Sequence, residues 1–131
     1  MSERALRGIL LFLGAYHVVV GLLGLIAPET FFEEIGRYGV ENLHYVGDVG
    51  AFYLAAGVGL LIAAERPGWR APLLVVGAVW YAAHAVNHVF DVDEARSDTR
   101  GLFDTVALAL AAAGSLYLAK VAARFENGER A

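Results

Sequence analysis

The chain has 131 residues, no cysteine and a formal net charge of −4; 58% of its residues are hydrophobic, 18% are charged, and the mean hydropathy is +0.54. The missing cysteine excludes disulfides, thiolate metal sites and cysteine nucleophiles, and an acidic chain with no basic run argues against a nucleic-acid partner. The charged share falls below the roughly 25% of soluble proteins and avoids four long stretches, so a soluble globule is excluded as well.

Arg4 and Arg7 precede an apolar run from Gly8 to Ala27. That run is longer than the apolar core of a signal peptide, so it is read as a retained span. A helix crossing the hydrocarbon core needs about 20 residues. The spans are expected at about residues 6–27, 43–64, 72–90 and 102–123. Pro28 is expected to open a short interfacial helix, with Phe31, Phe32 and Ile35 on one side and Glu33 and Glu34 on the other. The second span carries a stripe of small residues, Gly47, Ala51, Ala55, Gly59 and Ala63, and the fourth carries Ala107, Ala111, Ser115, Ala119 and Ala123. Such stripes let helix backbones approach closely in lipid, within a bundle or between copies.

The reading is all-α: one domain over 1–131, an integral membrane up-down four-helix bundle. Arg4, Arg7, Arg66, Arg70, Lys120, Arg124 and Arg130 flank one side, and Arg37, Arg96 and Arg100 the other. Basic residues favour the cytoplasm, so a multi-pass cell-membrane protein with both termini cytoplasmic is expected. Its partners would be membrane lipid, a second copy or a larger membrane complex, and no nucleic acid.

Ionisable residues inside spans are costly and usually face the bundle interior. His44 and Asp48 stand four apart at the outer end of the second span, and His84 and His88 do so at the outer end of the third. Residues at i, i+4 share a helix face. Two such pairs at matching depth predict a metal site of His44, Asp48, His84 and His88, suited to zinc, iron or copper, with haem the weaker alternative. Asn87 and Asp91 extend the second pair, His17 lies deeper in the first span, and Asp104 sits one turn inside the fourth with Arg100 above it. The leading function is a membrane protein with a metal or redox site near the extracytoplasmic face, whether or not it is an enzyme. The alternative is a non-enzymatic accessory subunit, or a bundle binding a small molecule or lipid, whose polar cluster is structural.

The stretch from Glu41 to Gly57, with His44, Asp48, Val49, Gly50 and Ala51, resembles a group of small four-helix membrane proteins common in actinobacteria and loosely similar to DoxX-like proteins. Those proteins carry a His-x-x-x-Asp-Val-Gly-Ala segment opening the second span and a His-x-x-x-His segment closing the third, here His84 and His88. The resemblance implies the same fold and the same site residues. It implies no particular reaction. Gly47 stands where a basic residue often precedes the aspartate.

Overall fold

The computed structural model describes residues 1–128, and within them the chain is helical apart from its connections. Helix α1 (Glu3–Ile26) starts at Ser2, whose hydroxyl accepts from the Ala5 amide. The short α2 (Pro28–Glu34) starts at Pro28, whose missing N–H costs nothing in a first turn. Helix α3 (Leu43–Glu65) starts at Asn42, whose side chain accepts from the amides of His44 and Tyr45. Only Arg66 separates α3 from α4 (Pro67–Phe90). A 3-10 turn (Val92–Glu94) leads to Ser97, which caps α5 (Asp98–Glu126) through the Arg100 amide.

Helices α1, α3, α4 and α5 are each long and apolar enough to cross a membrane, so the chain is a multi-pass membrane protein built as a four-helix bundle. Their bounds match the expected spans to within four residues except at α4, which starts five residues early. Arg70 marks the cause. It reads as a flanking charge in the sequence, but it is only 4% exposed. Its guanidinium donates to the carbonyls of Ala63 and Ala64, both at 3.1 Å, and to Glu3 Oε1 at 2.9 Å. One cation therefore satisfies the open carbonyls at the end of α3 and ties in the start of α1, while α4 continues past it.

The bundle consists of two intimate pairs, α1 with α3 and α4 with α5, joined by a lesser α3–α4 contact. Glycines set the first pair. A methyl group on Gly57 would fall 2.6 Å from the Val18 amide nitrogen, and one on Gly21 would fall 2.8 Å from the Gly50 carbonyl oxygen. The backbones touch there, which supplies the van der Waals contact that holds helices together in lipid. The seam on α3 is thus Gly50 and Gly57. Of the stripe expected from the sequence, Gly47, Ala51 and Ala55 lie off that seam, for Ala51 and Ala55 are exposed and a methyl group on Gly47 would meet nothing, whereas Gly59 faces Leu73 of α4 and Ala63 is buried. Both faces of α3 carry small residues, so spacing could not choose between them.

The pairs close together at the end that holds the termini. Leu6 and Leu10 of α1, Leu60 and Ala64 of α3, Leu74 of α4 and Ala119 and Ala122 of α5 form one core there. At the opposite end, α2 tucks Phe31 and Phe32 beneath the chain against Val20 and Val46, as the short-helix reading expects. The two connecting loops meet above the bundle at that end. Tyr38 pairs with Ala95 in an isolated antiparallel bridge, and the Gly39 amide donates to the Glu94 carbonyl at 3.0 Å.

Candidate functional site

The two helix pairs part toward the loop end and leave a cleft. A cavity of about 770 Å³ lies under the loops, and a second of about 410 Å³ continues deeper; Leu13, His17, Tyr81 and Ala111 line both. The small residues of α5 explain the space. Ala107 and Ala111 face the upper cavity and Ala111 and Ser115 the lower one, so the α5 stripe hollows the bundle where a packing seam was one expectation. Ala119, further along, does pack in the core.

His84 and His88 come together as their spacing predicts. Their Nε2 atoms are 3.0 Å apart, and both rings line the upper cavity. His88 Nδ1 lies 2.9 Å from the hydroxyl oxygen of Tyr38, which comes down from the first loop. Tyr38 donates in turn to Asp104 Oδ2 at 3.2 Å. Arg100 Nε donates to both Asp104 oxygens, at 2.9 and 2.8 Å, and its Nη2 reaches the Ile35 carbonyl at 3.3 Å. Burial and the negative Asp104 beside it push the Tyr38 phenol up to about 12, so it stays a donor at physiological pH.

These contacts fix the direction of the chain for neutral rings. The Asp104 carboxylate takes the Tyr38 proton, so the Tyr38 oxygen accepts from His88 Nδ1–H. His88 Nε2 is then the acceptor for His84 Nε2–H, and His84 Nδ1 carries the free lone pair. That nitrogen is buried and has no hydrogen-bond partner.

His44 and Asp48 do not join this group. They approach each other, His44 Nε2 to Asp48 Oδ2 at 3.7 Å, but their side chains are 83% and 66% exposed and neither lines the cavity. The cavity wall from α3 is Tyr45, Val46, Val49 and Tyr53. The expected four-residue cluster is therefore split between two faces, and no group of three or more His, Asp or Glu placed to hold a metal ion occurs among the described residues. The physical reason is helical phase: the face of α3 that meets α1 and the cleft holds Val46, Gly50 and Gly57, and His44 and Asp48 fall off it.

The deeper groups are accounted for as well. His17, buried in α1, is bonded through Nδ1 to the Leu13 carbonyl at 2.7 Å and through Nε2 to the Tyr81 hydroxyl at 2.5 Å. It stacks on Tyr53, and Trp80 packs between Phe52 and His84. At the mouth, Asn87 donates to Asp91 at 3.0 Å. Tyr38 is the site residue that sequence reasoning missed. It lies 50 residues from His88 in a loop with no periodicity, and its only signal was a lone aromatic among polar and glycine neighbours.

No family model matches the chain, and no curated protein or solved structure is significantly similar to it, so these comparisons neither support nor oppose the resemblance to DoxX-like proteins.

Proposed function

We propose that this membrane protein binds a small amphipathic molecule in the cleft between its two helix pairs, with the polar head at His84 and the apolar part along Trp80, Leu73 and Ala111. The observation that carries this is the shape and polarity of the cleft. Its upper volume falls within the roughly 300–1,000 Å³ of small-molecule sites, which are mostly apolar with a few convergent polar groups. Its charged side chains gather at the mouth, while the lower cavity, with His17, Tyr81 and Ser115 as its polar groups, is otherwise walled by residues such as Phe52, Leu60, Leu73, Leu74 and Leu118. His84 lines the upper cavity with its unpartnered Nδ1 buried beside it, so a head that donates a hydrogen bond, such as a hydroxyl, would meet that lone pair on a turn of the ring toward the cavity. A buried acceptor left unmet costs about 1–3 kcal/mol. Mass spectrometry of molecules released from gently purified protein tests the reading: a stoichiometric hydroxylated amphiphile is expected, and its loss in Ala111→Phe, which puts a ring where the two cavities join.

A second reading is kept for one observation. The centroids of His84 and His88 are 4.7 Å apart, closer than head-on rings with nitrogens 3.0 Å apart would place them, so the two Nε2 axes converge at an angle. A zinc, iron or copper ion shared by His84 and His88 would use that convergence, its remaining ligands coming from water or the bound molecule. His44 and Asp48 would play no part. Elemental analysis of unchelated protein decides this reading: one metal per chain, lost in His84→Ala, supports it, and substoichiometric metal in the parent removes it.

The bias of basic residues supports a cytoplasmic location for both termini. The chain has no native cysteine, so single Ser97→Cys and Asn127→Cys variants test this directly. An impermeant thiol reagent outside intact cells should label the first and not the second.

A further inference from the structure

The crevice between α3 and α4 is sealed at two levels and open between them. Nearer the loops, Phe52 stacks on Trp80 with ring centroids 4.6 Å apart. Nearer the termini, a methyl group on Gly59 would lie 3.4 Å from both Leu73 methyl carbons. The antiparallel register of these contacts sets Ala55 and Ala56 opposite Val76 and Gly77. Here the facing side chains are too small to meet: a methyl group on Gly77 would find nothing within 4 Å. Ala55 is exposed, and Val76 is 58% exposed. All four residues nonetheless line the lower cavity. Residues that are both exposed and cavity-lining form the rim of an opening, with the aromatic stack above it and Leu73 below.

The depth of this opening decides what can pass through it. Helix α3 starts at Leu43, and Ala55 follows about 18 Å along its axis at 1.5 Å per residue. The hydrocarbon core is about 30 Å thick, so the opening faces the middle of the bilayer, where a polar group is costly and an alkyl chain is not. On α4, Gly77 lies about 10 Å below His84. A molecule with its head at His84 and its chain in the lower cavity therefore has the orientation of a lipid in the loop-side leaflet, head near the interface and chain toward the midplane. We propose that the ligand is such a bilayer lipid, and that its chain leaves the lower cavity between Ala55 and Gly77 to end among the surrounding lipids. The ligand class is then a long-chain amphiphile held by its head and upper chain, with no limit on chain length set by the cavity. The proposal rests on the cleft reading above and adds to it the source of the ligand and the exit of its chain.

The test uses the full chain with Trp69→Phe, in discs of phosphatidylcholine bilayer. Trp80, on the rim of the opening, reports binding by its emission, and affinities are expressed as mole fraction in the bilayer. Two probes share a phenol head: 4-octylphenol, and 4-hexadecylphenol with a triphenylmethyl group on its last carbon, a rigid cap that an enclosed site would exclude. Without further substitution the two affinities should agree within about threefold. Gly77→Leu puts a branched side chain into the gap; it should weaken the capped probe about tenfold or more and leave 4-octylphenol within about threefold. Gly114→Leu, at another lower-cavity glycine whose methyl would meet open space, should change neither. Exclusion of the capped probe while 4-octylphenol binds would overturn the proposal and leave the cleft reading standing; failure of 4-octylphenol to bind would remove both. Undiminished binding of the capped probe in Gly77→Leu, equal loss of both probes there, or discrimination appearing in Gly114→Leu instead would also overturn the chain exit.

Discussion

Tyr38 and His88 meet edge on, ring centroids 4.3 Å apart, with the phenol oxygen 2.9 Å from Nδ1. One residue comes from the loop after α2 and the other from the last turn of α4, so this contact fastens the first helix pair to the second across the mouth of the cleft. Asp104 and Arg100 brace it from α5.

Tyr38→Phe removes the hydroxyl and leaves His88 Nδ1 without a partner, while Asp104 keeps Arg100. Unfolding in detergent should show a loss of about 1–3 kcal/mol. The parent should also carry an alkaline signature. The folded phenol is pushed up to about 12 from its usual 10. Its contribution is therefore complete below pH 10 and declines as pH rises through 12. The stability difference between parent and Tyr38→Phe should shrink across that window; a constant difference would mean that Tyr38 acts by packing alone.

Arg70 should be the most sensitive charged residue at the terminal end. Arg70→Met strands the carbonyls of Ala63 and Ala64 in a buried site and should cost roughly 1–3 kcal/mol. Glu3 is well exposed, so Glu3→Gln should cost less than about 1 kcal/mol. Denaturant unfolding of the two variants in one detergent checks the order.

The glycine seam predicts opposite outcomes for similar substitutions. Gly21→Ala and Gly57→Ala drive a methyl into facing backbone and should lower stability by about 1–3 kcal/mol. Gly47→Ala and Gly77→Ala meet open space and should be neutral, or stabilising by up to about 1 kcal/mol through helix propensity. Thermal unfolding of the four variants separates them, and equal losses at Gly47 and Gly21 would refute the seam.

What could be read from the sequence follows from the range of each signal. Span existence rests on runs of about 20 apolar residues and survives intact. Pairing of His84 with His88 rests on one helix turn and survives too. The direction in which α3 points His44 and Asp48 depends on packing against α1, and a helix that is apolar and small on two faces does not encode it locally. Tyr38 reaches His88 only because two loops converge, a contact of long sequence separation that no spacing rule reports. Arg70 misled the start of α4 because a charge near a span end reads as solvent contact, whereas here backbone carbonyls receive it.

Ligand capture by the cleft is read most directly at Trp80, which packs against His84 on the cleft wall. The chain has two tryptophans, so Trp69→Phe leaves Trp80 as the sole reporter. Its emission should respond saturably to 4-octylphenol, at least tenfold more tightly than to 4-octylanisole, whose methyl ether cannot donate a hydrogen bond. His84→Phe should abolish that preference, and Ala111→Phe should abolish the response to both. An unsaturable response, equal affinity for the phenol and its ether, or a preference that persists in His84→Phe would contradict the account.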